Sequence, residues 1–157
     1  MSSRTEPLVA QFVQTHDDLV SLIRQISAED WQKVPAGEQR SVGAIAYHTA
    51  KGYLATLSFA QMLANGQPLP QFTPDMLDQM NAREAAEHAD VSKEQVLDML
   101  EAKSRSVAEG LSALTDAQLD ASGEFFGHRL TGEGVVAGLV VSHVREHVES
   151  IRSVIQG

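Results

Sequence analysis

Val141 to Ser150 reads VSHVREHVES, with Val144 and Val148 four residues apart. Widening the window adds Val136, Val140, Ile151 and Ile155 to the same arc of a helix advancing about 100° per residue. Arg145, Glu146, Glu149, Arg152 and Ser153 fall opposite, so the segment reads as an amphipathic helix whose apolar stripe needs a packed partner. His143 and His147 lie about 40° apart at the edge of that stripe, where both rings can reach one point beside the helix. An HxxxH pair so placed has metal-ligand geometry, although two hydrogen-bonded core imidazoles would read the same way.

The helical period recurs outward from this segment and sustained strand-like alternation does not, so the expected class is all-α. Four long helices fit 157 residues as a single domain, 1–157. The first runs from about Pro7 to Ser27 on a stripe of Leu8, Phe12, Leu19, Ile23 and Ile26. After the linker AEDWQKVPAGEQR, Ser41 is placed to cap a second helix over 42–64, closed by Asn65 and Gly66. The third element breaks into FTPDMLDQMNAREAAEHAD and, past a bend at 90–92 with Ser92 as cap, KEQVLDMLEAKSRSVAEGLSAL. TDAQLDASGEFFGHRL reads as a loop, and Thr131 caps one last helix ending near Ile155.

The formal net charge is −9 and there is no Lys/Arg cluster, which argues against nucleic acid and against an anionic membrane as partners. No apolar run reaches the roughly 18 residues of a spanning helix, and the N-terminus lacks a secretory pattern, so a cytoplasmic protein is expected. The chain has no cysteine, so any thiol chemistry must use a thiol supplied from outside. GxGxxG, GxxxxGK and GxSxG are missing, which leaves nucleotide binding and triad hydrolysis without support.

His48 strengthens the reading of the HxxxH pair. In SVGAIAYHTAKGYLATLSFAQML it shares a small and apolar face with Ala44, Gly52, Ala55, Phe59 and Met62, turned toward the bundle. Three inward imidazoles from two helices would give a divalent ion three protein ligands and leave positions open for water or substrate. His16 lies on the buried stripe of the first helix, as a satisfied core histidine or a fourth ligand. His88 and His128 read as surface residues. Glu84, Glu87 and Glu101 read as a solvent face beside Arg83, Lys93 and Lys103. Asp17 and Asp18 diverge by about 100° and cannot act on one atom together. Glu146, Asp17, Asp18 and His16 are the candidates for a base near an open coordination position.

These residues resemble the DinB/YfiT-like superfamily of metal-binding four-helix bundles over nearly the whole chain. The resemblance rests on RSVGAIAYHTA opening the second helix, on the broken element containing MNAREAAEHADVSKEQVLDML, and on SHVREHVESI. It implies a bundle with one long crossover and a metal held by His48, His143 and His147, zinc or nickel first, then iron or manganese. Many relatives carry a Trp just before the serine that opens the second helix, where this chain has Arg40. The resemblance also implies a small-molecule substrate, a low-molecular-weight thiol as partner, and thiol S-transferase or isomerase chemistry on small electrophiles. The alternatives are a non-catalytic, stress-related module holding metal or a small ligand, and a metal-dependent hydrolase. A homodimer is expected from the resemblance and from Tyr53, Leu57, Ala60 and Ala64, which lie opposite His48 and would need a second partner surface.

Overall fold

Three helix starts expected from Ser and Thr are formed in the structure, a computed structural model that describes residues 1–156. Ser41 accepts a hydrogen bond from the Ala44 amide at 3.1 Å, Thr131 accepts one from Gly134 at 3.1 Å, and Ser92 forms a reciprocal box with Gln95. Each satisfies amides that a helix N-terminus leaves without an internal partner. The helices so begun are α3 (Val42–Ala64) and α5 (Lys93–Ser112), together with the last helical run. α1 spans Thr5–Gln25, α2 is the single turn Ala28–Trp31, and α4 is Pro74–Glu87. The third element is therefore broken as its sequence indicates.

α1 packs on α5, α5 on α3, α3 on the last helix, and the last helix on α1. α1 and α3 thus occupy one diagonal of a four-helix bundle, and the long link between them is the crossover. Trp31 anchors that link. Its indole N–H donates to the Val91 carbonyl at 2.9 Å, and its ring lies so close to Gly43 that a Cβ there would stand 2.6 Å from Nε1. Only glycine permits this approach at the first turn of α3.

Two regions depart from the sequence reading. TDAQLDASGEFFGHRL is not a plain loop: it folds as α6 (Asp116–Asp120) and an antiparallel hairpin of β1 (Ser122–Phe125) and β2 (His128–Thr131). The turn residues Phe126 and Gly127 have φ of 53° and 77°, the arrangement of a type I′ turn. Asn-Gly is the preferred pair there, and an aromatic residue in the left-handed region costs on the order of 1 to 2 kcal/mol. Strands this short, with Phe125 their one fully buried side chain, carry no readable alternation.

The last run is also not one regular helix. It comprises α7 (Gly132–Val135), a wide π turn over Val136–Ser142, and α8 (His143–Gln156). A π turn bonds i to i+5, and the buried residues repeat accordingly: Val135 and Val136, then Val140 and Val141. From there the regular period carries burial to Val144, His147, Val148 and Ile151. Ile155, projected onto the stripe by a uniform 100° step, is exposed, and His147, projected to its edge, is 7% exposed.

Tyr53, Leu57 and Ala60 are buried within this one chain and Ala64 packs against the same core, with the Phe12 ring 5.2 Å from that of Tyr53. The sequence argument that this face needs a second subunit therefore fails: α1 and α5 cover it. No helix among the described residues is long and apolar enough to cross a membrane.

Candidate functional site

α3 and α8 bring His48, His143 and His147 together, with one ring nitrogen from each all within 4.8 Å of one another. The Nε2 atoms of His143 and His147 are 3.1 Å apart. Two nitrogens bound tetrahedrally to one ion at about 2.0 to 2.1 Å stand roughly 3.3 Å apart, so this pair already has the spacing of two ligands. With one nitrogen of His48 within 4.8 Å of both, the three residues could hold a divalent ion.

Burial favours the neutral form of two of these imidazoles, His143 and His147. Burial pushes the His147 ring down to about 3, with the nearby His143, His48 and Arg40 adding to the effect. His143 is also held below the ordinary histidine value, first by burial and then by the charge of His48, with Glu146 partly opposing. Neutral imidazole is the form that donates a lone pair to a metal. Arg40 pairs with Glu38 at 3.6 Å, while its buried Nη1 has no protein partner.

Glu84 of α4 is the residue that sequence reading missed. Its Oε1 lies 2.7 Å from His48 Nδ1 and its Oε2 accepts from Lys51 Nζ at 3.1 Å. Its side chain is 12% exposed, so it does not belong to the solvent face assigned to it. Burial alone would raise the Glu84 carboxyl, but the hydrogen bond from Lys51 and the charge and hydrogen bond of His48 hold it below the usual carboxylate range. An ionised carboxylate only accepts, so Nδ1 of His48 donates in this contact and Nε2 is the ring nitrogen left for an ion. The signal was available as a stripe: Leu77, Met80, Asn81 and Glu84 recur at helical spacing and all line one cavity.

That cavity, of about 400 Å³, has the three histidines and Glu84 at one end. Its other walls include Phe59, Phe72, Phe125 and Phe126, four of the five phenylalanines in the chain. The arrangement is a mostly apolar chamber with polar groups converging at one end, as small-molecule sites commonly are. A more open cleft of about 590 Å³ lies beside Tyr47 and His88, away from the histidine cluster.

The remaining candidates stand elsewhere. His16 Nδ1 is 2.9 Å from the Tyr53 hydroxyl, and the residue belongs to the α1–α3 packing rather than to the cluster. Burial holds the His16 ring below its ordinary value. His88 stacks on Tyr47 with ring centroids 3.9 Å apart, and His128 is exposed on β2. Asp17, Asp18 and Glu146 are exposed, and none of them lines the cavity; Glu146 reaches only to 3.9 Å from His143 Nδ1.

The family profile described as DinB superfamily matches residues 11–151. No curated protein sequence matches the chain. Among solved structures, the colibactin self-resistance protein ClbS in complex with double-stranded DNA superposes with a TM-score of 0.75 at 11% identity, covering 97% of this chain and 95% of that one. A mycothiol-dependent maleylpyruvate isomerase gives 0.75 at 10% identity, covering 96% of this chain and 63% of that one. An uncharacterised protein from Clostridium difficile 630 gives 0.75 at 14% identity, covering 99% and 98%. The exclusion of nucleic acid drawn from net charge is corrected by the first of these, a protein of the same fold seen with a duplex. Net charge describes the whole molecule, whereas a duplex is held by local contacts, so an acidic chain is not thereby barred from one.

Proposed function

Because the chain belongs to the DinB superfamily, we propose that His48, His143 and His147 hold one divalent metal ion and that the protein is a metal-dependent thiol S-transferase or isomerase acting on small electrophiles. The contact between Glu84 and His48 carries this reading. Histidine ligands characteristically donate their second ring nitrogen to a carboxylate or carbonyl, which fixes the tautomer and the ring orientation. A core imidazole pair needs no such partner reaching in from a separate surface helix.

Three imidazoles leave coordination positions open; imidazole suits zinc, nickel, iron and copper alike, and the family resemblance puts zinc or nickel first, then iron or manganese. When bound, such an ion supplies the Lewis acidity that lowers the pKa of an incoming thiol. The chain contributes the rest. Glu84 holds the His48 ring, burial favours neutral His143 and His147, and four phenylalanines give the rest of the cavity an apolar lining. The thiol is a low-molecular-weight one from outside, since the chain has no cysteine. Glu84 is the one carboxylate lining the cavity and is already engaged by His48 and Lys51, which favours thiol chemistry over hydrolysis assisted by a free base.

Elemental analysis of protein purified without a histidine tag tests the metal, and a screen of thiols against small electrophiles tests the reaction. About one ion per chain with thiol-dependent turnover is the expected result. Metal at trace level in protein purified and then dialysed against zinc or nickel would sink the reading.

A further inference from the structure

Phe126 sits at the tip of the hairpin with φ of 53° and remains 40% exposed. Neither fact is explained by folding. The first turn position favours Asn, and a half-exposed ring adds little to the core. Backbone strain that persists where a relaxed residue was available points to a role at a site. Phe126 lines the cavity, packs edge-on against Phe125 at 4.3 Å, and lies 6.4 Å from Phe72 across the opening between the hairpin and the start of α4.

We propose that Phe126 is a specificity-determining residue, and that the hairpin tip closes the apolar arm of the cavity over the aromatic body of a small molecule whose polar end lies at His48, His143 and His147. The polar end rests on the metal reading above; the aromatic arm does not. About 400 Å³ is room for a drug-sized molecule and not for a folded peptide. Phe59 and Phe125, with centroids 5.4 Å apart, present ring faces and edges at the separations at which aromatic rings pair. Asn81 and Lys51 add polar groups to the same walls, whereas the Thr49 and Thr56 hydroxyls donate to carbonyls of α3, so the occupant is amphiphilic rather than a plain hydrocarbon.

The test uses 1-anilinonaphthalene-8-sulfonate, titrated by fluorescence into full-length protein with chelator present, so that a failed metal reading leaves the result untouched. Phe126→Asn converts the turn to Asn-Gly. It is expected to melt at a temperature equal to or above the wild type while weakening probe binding at least fivefold. Phe126→Tyr should restore binding to within twofold, and Ala55→Trp, which fills the arm from α3, should abolish it. Unchanged affinity in Phe126→Asn, or undiminished binding in Ala55→Trp, would overturn the proposal. So would a lower melting temperature in Phe126→Asn, because the ring would then be serving the fold.

Discussion

Nδ1 of His48 and Oε1 of Glu84 are 2.7 Å apart, joining the second turn of α3 to the last turn of α4. α4 has no fully buried residue and Met76 and Met80 are exposed, so little apolar packing holds it against the bundle. The His48 contact, reinforced by Lys51, therefore both orients a ring and docks a helix.

Replacing Glu84 with Gln keeps the shape but removes the charge that makes Nδ1 the protonated nitrogen. Metal affinity should fall by about 10- to 100-fold, the usual effect of removing such a partner, while metal-free protein remains folded and melts a few degrees lower, because the charge that helps dock α4 is lost. Competition against a chromogenic zinc chelator measures the first and circular dichroism the second. Equal affinities in Gln and Glu forms would mean that the carboxylate does not orient the ligand.

The two histidines of HxxxH should separate by their effect on the fold. The His143 side chain is 45% exposed, so His143→Ala should lose metal binding by orders of magnitude at a stability cost within about 1 kcal/mol. His147 is buried among Val144, Val148 and Ile151, and His147→Ala should lose metal equally but destabilise the metal-free chain by roughly 1 to 3 kcal/mol. Urea melts beside metal analysis on the same samples decide the matter. Full metal occupancy in His143→Ala would return the pair to the role of core residues.

The bundle was legible because Ser41, Ser92 and Thr131 mark helix starts and the stripes between them keep one period. The histidine cluster was legible because HxxxH and His48 sit on inward faces of helices whose neighbours could be guessed. Glu84 escaped because its helix is polar on most sides and its burial is created by a cavity, not by a core stripe. The hairpin escaped because four-residue strands with one buried side chain leave no alternation to find. The π turn escaped because a uniform 100° step was carried through Val136–Ser142, where the Val135/Val136 and Val140/Val141 repeat has a spacing of five.

Acid should destabilise the metal-free protein, and the sign follows from His147. Its folded value of about 3 lies below the ordinary 6.5, so as pH falls the unfolded chain takes up the proton first. The contribution is fully present above about 6.5 and is lost progressively between about 6.5 and 3, amounting at most to something on the order of 3 to 5 kcal/mol. His143 and His16, also lowered, act in the same direction, and so does Glu84, whose depressed carboxyl favours the folded state above its ordinary range. Urea midpoints of chelator-treated protein should fall between about pH 7 and pH 5, and less steeply in His147→Ala. A flat profile over that interval would show that the imidazole is hydrated in the folded state.

Deleting Gly138 should leave the site intact. In a regular helix one deletion swings everything downstream through about 100° and would carry His143 and His147 off the cavity. Gly138 lies instead inside the π turn, is exposed, and has nothing near the position its Cβ would occupy. Its removal shortens the spacing from Val135 and Val136 to Val140 and Val141 from five to four, which is the regular α period, so the wide turn can close without rotating α8. The deletion variant should show helical circular dichroism like the wild type and zinc affinity within about tenfold of it, because the three ligands keep their relative positions. Loss of metal binding in a folded deletion variant would mean that the π turn itself sets the aim of the HxxxH pair. Gly138 and Ala137 do not line the cavity but Leu139 does, so zinc affinity, which depends on the three histidines alone, is the measurement that decides and not binding in the apolar arm.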